Sequence, residues 1–169
     1  LKTGKSAWIY QDNKRVLVAT HDAKDDDKPD KIIKAARGLA VKSMQALKVK
    51  KIKDASWHIT DKFDAKSLNQ FVNASVLMNY QYAFKEDIFE PNATEEEKQE
   101  QSQQPVLLEN MKFYTDLKLS DENLKDTDFY IKAANCALYG RDIINTRGSV
   151  ADPEFMEERI RELVDGKKQ

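Results

Sequence analysis

The sequence is short of cysteine, because its 169 residues include only Cys136. A single cysteine forms no disulfide within the chain, and this favours a reducing compartment. A chain of this length buries roughly two thirds or more of the surface that its unfolded form exposes, so one hydrophobic core suffices without a disulfide or a structural metal. We therefore expect a soluble domain located in the cytoplasm.

Glycine is also scarce. The five glycines, at positions 4, 38, 140, 148 and 166, do not cluster. A phosphate-binding loop needs several glycines close together so that backbone N–H groups can approach the ligand. The scarcity therefore argues against a nucleotide site.

The sequence has no long apolar run and no excess charge of one sign. No stretch approaches the ~20 apolar residues of a membrane span, and charged residues interrupt any leader-like run after Leu1. The 28 basic and 29 acidic residues nearly cancel, to a net charge of −1. A nucleic-acid or membrane-surface protein needs a basic face, so neither partner is expected. Because the chain begins with leucine, we expect a processed product or a fragment of a longer protein.

What the sequence does contain is alternating strand and helix patterns. The run at 30–48 is the clearest helix, since its apolar residues recur every three or four positions; they are Ile33, Ala36, Ala40, Met44 and Leu47. Three further helices are predicted, at 65–84, at 128–146 and from Asp152-Pro153 onward. Strands are predicted at 7–10, 15–20, 55–60 and 111–118, the first two as a hairpin. Strand, helix and strand in series favour an α/β layer structure.

One stretch differs in character from the rest. Residues 85–105 are polar, acidic and rich in glutamine. Such a composition buries too little apolar area to fold by itself. We expect a mobile polar insertion around 88–105, within a domain that spans residues 1–150.

Three residues, His21, His58 and Cys136, have chemically reactive side chains. His58 is predicted to be a half-buried structural residue of a strand, and His21 an exposed loop residue. Cys136 lies in a helical run of small apolar residues, where a buried, inert thiol is the usual outcome. A nucleophilic pair of Cys136 and His58 is the alternative. We assign no catalytic, cofactor-binding or metal-binding residue to the chain.

The segment from Tyr139 to Glu157 is the most distinctive part of the sequence. It reads Tyr-Gly-Arg-Asp-Ile-Ile-Asn-Thr-Arg-Gly-Ser-Val-Ala-Asp-Pro-Glu-Phe-Met-Glu. It resembles the junction between the two domains of the leucyl (cytosol) aminopeptidases. The matching residues are Arg141, Asp142, Asn145, Thr146 and Pro153, whereas Arg147 stands where the family commonly has proline and Gly140 where it has alanine. The departures indicate a divergent branch.

The resemblance implies a fold, a domain division and a set of partners. The fold would be a central mixed β-sheet flanked by helices, similar to a macro domain, with 151–169 as the start of an interdomain linker helix. The partner would be a C-terminal catalytic domain of the same protein, within a homohexamer. In the family that second domain holds two divalent metals, zinc or manganese, in motifs containing Thr-Asp-Ala-Glu-Gly-Arg. These motifs do not occur in the 169 residues, so no cofactor is expected in this chain.

Three functions from different classes follow. The first is a non-catalytic N-terminal domain, with an assembly or scaffolding role, of a metallopeptidase that releases N-terminal amino acids from peptides. The second is a structural or interaction protein, or pseudoenzyme, built on the same domain. The third is a free macro-type domain that binds a nucleotide derivative such as ADP-ribose. The scarcity of glycine argues against this third function.

Overall fold

The computed structural model describes residues 5–11, 14–21, 28–60, 63–81, 107–146, 148 and 150–165. The strands are β1 (Ser6–Gln11), β2 (Lys14–Ala19), β3 (Asp54–Ile59) and β4 (Asn110–Thr115). The helices are α1 (Pro29–Val49), α2 (Ala65–Met78), α3 (Asp121–Asn145) and α4 (Pro153–Asp165). The polar insertion predicted around 88–105 and the predicted turn at Asp12 and Asn13 lie outside the described residues.

The α/β class predicted from the sequence is confirmed. In the described part of the chain the strands form two small sheets flanked by helices. β1 and β2 pair antiparallel, with Ser6 opposite Ala19, whereas β3 and β4 pair parallel, with Asp54 opposite Asn110. The parallel and the antiparallel pairing of a mixed sheet are therefore both present, but each occurs in a separate sheet.

Helix α1 buries the face that its sequence period predicts. Ala36, Ala40 and Met44 are completely buried and Leu47 nearly so. Pro29 occupies the first turn, where its missing N–H costs no hydrogen bond. The indole Nε1 of Trp57 on β3 donates to Ser43 Oγ at 3.1 Å, and this bond joins α1 to the parallel sheet.

Helix α2 lies at the centre of the fold and packs against both α1 and α3. Its buried residues occupy every side of the helix. They include two long polar side chains, each of which has a partner on a neighbouring helix. Gln70 Oε1 accepts from the Arg37 guanidinium of α1, and Asn69 Oδ1 accepts from the Thr127 hydroxyl of α3 at 2.6 Å. These hydrogen bonds satisfy groups that are costly to bury alone.

The structure corrects the predicted end of α2. The pattern predicted a helix to residue 84, whereas α2 ends at Met78. Asn79, the next residue, donates from Nδ2 to the Leu108 carbonyl at 2.8 Å and accepts from the Leu108 N–H at 2.9 Å. This pair of bonds to a distant segment stabilises the exit of the chain from the helix.

The structure also corrects the predicted start of α3. The helix begins at Asp121 rather than 128, because Ser120 and Asn123 form a reciprocal capping box. Most of α3 is exposed, and Ala134 is its one fully buried residue. The sequence places Ala137 and Ile144 with Ala134 on one helix face, which predicts that this face is buried, but Ala137 and Ile144 are both exposed.

None of the described helices combines the length and apolar character that crossing a membrane requires.

Replacing Phe71 by alanine tests the buried position of α2. The Phe71 ring is 2% exposed and meets Phe113 of β4 edge-on, with ring centroids 6.2 Å apart. We expect Phe71→Ala to lower the free energy of unfolding by about 3–5 kcal/mol, since it leaves a cavity. The matched control is Phe129→Ala on α3, where the ring is 66% exposed and the loss should stay within about 0.5 kcal/mol. Equal losses in urea unfolding would contradict the assignment of α2 to the core.

Candidate functional site

The segment that resembles the aminopeptidase junction forms the end of α3 and the start of α4. We call residues 139–157 the helix junction. It begins inside α3, contains the connection after Asn145, and ends in the first turns of α4. Arg147 and Ser149 of the connection lie outside the described residues.

Tyr80, just beyond α2, is the anchor of the helix junction. Its hydroxyl donates to Asp142 Oδ1 at 2.9 Å and accepts from Asn145 Nδ2 at 3.0 Å. The Arg141 guanidinium lies over the Tyr80 ring, 5.7 Å from its centroid, where a cation is attracted to the π-face. Three of the residues that carry the resemblance therefore surround one side chain.

The backbone of Tyr80 is held as well. Lys48, near the end of α1, donates from Nζ to the Tyr80 carbonyl at 3.2 Å. Partial burial lowers the pKa of Lys48 from its ordinary value, because desolvation penalises the ammonium form. α1, the exit of α2 and the end of α3 thus meet at Tyr80.

The helix junction also sets the position of α4. Asp152 Oδ1 accepts from the Phe155 N–H at 2.8 Å, as an N-cap does, and Pro153 follows as the first helical residue, which confirms the predicted helix start. The Tyr139 hydroxyl of α3 donates to the Arg159 carbonyl of α4 at 2.7 Å. A hydrogen bond with Glu162 is the main cause that raises the pKa of Arg159.

The end of α3 is capped by one further residue of the motif. Thr146 Oγ1 donates to the Asp142 carbonyl at 2.7 Å and so satisfies a carbonyl in the last turn of the helix. Of the five residues that match the family, four therefore bind Tyr80 or complete α3, and Pro153 begins α4. Their arrangement positions two helices, and in the described residues it contains no nucleophile paired with a base.

The three reactive side chains lie outside residues 139–157, and the structure corrects all three predictions about their burial. His58 is exposed and lies 3.1 Å from Asp116 Oδ1, rather than half-buried. His21 is half-buried and stacks on Phe63 with centroids 5.0 Å apart, rather than exposed. Cys136 is exposed rather than buried. In the described part of the chain no hydrogen bond joins Cys136 to His58, so the alternative nucleophilic pair has no support.

The residues that the structure describes include no group of three or more histidine, cysteine, aspartate or glutamate side chains with the arrangement of a metal site. The resemblance places the two-metal centre in a separate domain, outside these residues.

The sequence analysis does not single out Tyr80, which the structure shows to be the anchor of the helix junction. It lies 59 positions before Tyr139, the first residue of the distinctive segment, and in a run assigned to helix 65–84. The one available signal was a cluster of aromatic residues at 80–84, which is equally typical of a core.

Removing the Tyr139 hydroxyl tests whether it holds α4. We expect Tyr139→Phe to lower the hydrogen-exchange protection of α4 amides about fivefold, since one bond of about 1 kcal/mol is lost. Protection in α2 should not change. Tyr114→Phe is the control, because Tyr114 is 56% exposed on β4, away from α4. Unchanged protection in α4 would show that the bond does not hold the helix.

The sequence matches no protein-family model, and it matches no curated protein sequence. The likeness to the leucyl aminopeptidases therefore rests on the motif of the helix junction.

Proposed function

We propose that this chain is the non-catalytic N-terminal domain of a cytoplasmic metallopeptidase similar to the leucyl aminopeptidases, and that it serves in assembly and scaffolding. The parent protein would release N-terminal amino acids from peptides. Two divalent metals, zinc or manganese, would lie in a separate catalytic domain, where they activate water for attack on the peptide carbonyl.

The observation that carries the proposal is the role of the motif residues in the helix junction. Asp142 and Asn145 bind one tyrosine hydroxyl, and Arg141 covers the same ring. Pro153, capped by Asp152, then begins a new helix. A motif that directs the start of a helix out of a domain is what a connection to a second domain requires.

The exposed apolar face of α4 supports the proposal that a second domain or subunit covers this helix. Ile160, Leu163 and Val164 are 56%, 45% and 51% exposed, and they recur at the spacing of one helix face. The helix has no buried residue in the described chain. An apolar face on a charged helix is typical of a surface that another domain or subunit covers.

The test is an aminopeptidase assay on the product of the whole gene that encodes this chain. We expect the metal-loaded protein to hydrolyse leucine p-nitroanilide and to lose this activity to a chelator, while residues 1–169 alone remain inactive. An inactive, folded and metal-loaded full product would overturn the proposal and leave the interaction protein as the better hypothesis. A gene that ends at Gln169 would have the same consequence.

Assembly is tested through the apolar face of α4. In the whole gene product we expect Ile160→Glu combined with Leu163→Glu to lower the mass measured by analytical ultracentrifugation, because charge is placed in a covered surface. Leu124→Glu is the matched control, since Leu124 is 52% exposed on α3. If the control lowers the mass and the α4 variant leaves it unchanged, α4 has no part in assembly.

The interaction protein is the second candidate, and the same exposed face of α4 favours it. The two hypotheses differ in peptidase activity, which only the first predicts. The nucleotide-binding macro-type domain gains no supporting observation from the described residues; a calorimetric titration with ADP-ribose that releases heat would revive it.

A further inference from the structure

The two small sheets border a cavity of about 990 Å³. Every residue of β2 and every residue of β3 lines it. Alternate residues of a strand point to opposite faces of a sheet, so a cavity over one face is lined by every second residue. Lining by consecutive residues therefore means that the cavity lies along the edges of both strands. We call this space the interstrand slot.

Among the described residues, both edges of the interstrand slot carry backbone groups that pair with no strand. In the described part of the chain, β2 pairs only with β1 and β3 only with β4. The Thr20 N–H bonds to Lys5 across the β1–β2 hairpin, so residues 15, 17 and 19 direct their N–H and C=O groups to the other edge. The Lys53 carbonyl accepts from residues of the β4 side, so residues 54, 56 and 58 likewise direct their groups into the slot.

The floor of the interstrand slot is mainly apolar, and its partly exposed side chains are Leu39 of α1 with Trp8 and Trp57 of the two sheets. Ser43, Leu47 and Phe71 also line the slot but are at most 8% exposed. A strand in the slot would lay every second side chain on this floor and would hydrogen-bond to β2 and β3 on its two sides. The two sheets would then become one sheet of five strands.

The charges along the interstrand slot indicate the character of such a strand. Lys14 and Arg15 line the slot where β2 begins, both are exposed, and neither forms an ion pair with another described residue. Asp54 is the acidic residue of the lining, and its carboxylate accepts a hydrogen bond from Asn110 Nδ2. The lining therefore carries two cationic side chains and one carboxylate, and its end at Lys14 and Arg15 complements an acidic segment.

We propose that the interstrand slot binds an extended segment of a partner polypeptide, added as a strand between β2 and β3. The segment has about six residues, since each edge is about 20 Å long at the rise of a strand. Apolar side chains alternate along it, and acidic residues lie at the end that meets Lys14 and Arg15. Main-chain hydrogen bonds give the affinity and the alternating side chains give the specificity, as in other cases of strand addition.

The interstrand slot provides its own probe, because both tryptophans of the chain, Trp8 and Trp57, line it. The ligands are two capped synthetic peptides, each with two glutamates joined to a run of alternating valine and threonine. One peptide has the glutamates at its N-terminal end and the other has them at its C-terminal end. Titrating them into the 169-residue chain should change the tryptophan fluorescence and saturate for one of the two peptides. The same peptide with N-methylated valines should bind at least about fivefold more weakly, since it lacks the donors.

Two pairs of variants separate backbone pairing from side-chain contact. Leu17→Pro removes an N–H that faces the slot and leaves the β1–β2 hydrogen bonds in place, so binding should weaken at least about fivefold, whereas Leu17→Ala should keep it within about threefold. Arg15→Glu should weaken binding, and Lys125→Glu on exposed α3 should not. Circular dichroism checks that each variant is folded. If Leu17→Pro does not fold, the N-methylated peptide tests backbone pairing on the native chain instead.

Four outcomes would overturn the proposal. The first is fluorescence that does not change up to millimolar peptide. The second is equal binding of the N-methylated peptide, which would make the slot an apolar cleft. The third is a chain that sediments as a dimer without peptide and dissociates in Leu17→Pro, which would assign the slot to a second copy. The fourth is binding by the 169-residue chain and not by a longer product of the same gene, which would assign it to a segment of the same protein.

Discussion

The burial of α2 is the constraint on which the rest of the structure depends. A helix that is buried on every side must satisfy each polar group it carries, because an unpaired buried group costs free energy. Gln70 does so through Arg37 of α1, and Asn69 through Thr127 of α3. Asn73 adds a third bond, from its Nδ2 to the Tyr130 carbonyl at 3.0 Å. These polar contacts set how α1 and α3 lie against α2, whereas apolar contacts alone would allow the helices to slide.

The helix junction follows from this arrangement. Since α2 and α3 are aligned by their side-chain bonds, the exit of α2 brings Tyr80 to the last turns of α3. There its hydroxyl meets Asp142 and Asn145. Bonds between exposed groups contribute little free energy individually. Their effect is to fix the direction in which the chain leaves α3, and hence where α4 presents its uncovered apolar face.

The two surfaces that we propose as partner sites differ in kind. The face of α4 consists of apolar side chains on a helix, and the proposed second domain or subunit would bind it by burying this apolar area. The interstrand slot presents backbone groups on two edges, and natural proteins rarely leave such edges open. The first surface belongs to the proposed connection with a catalytic domain, whereas the second is independent of it.

Local patterns in the sequence determined the elements and several of their ends. The period of 30–48 identified α1 and its buried face, Asp152-Pro153 placed the start of α4, and alternation located the four strands, because all of these depend on residues a few positions apart. The motif 139–157 identified the segment that directs α4.

Only the tertiary structure decided the rest. The end of α2 depends on Asn79 and Leu108, the anchor of the helix junction is Tyr80, and the exposure of Cys136 and His58 depends on which faces their elements turn to neighbours. The physical reason is that hydrogen bonds and burial between residues tens of positions apart exist only after the chain has folded.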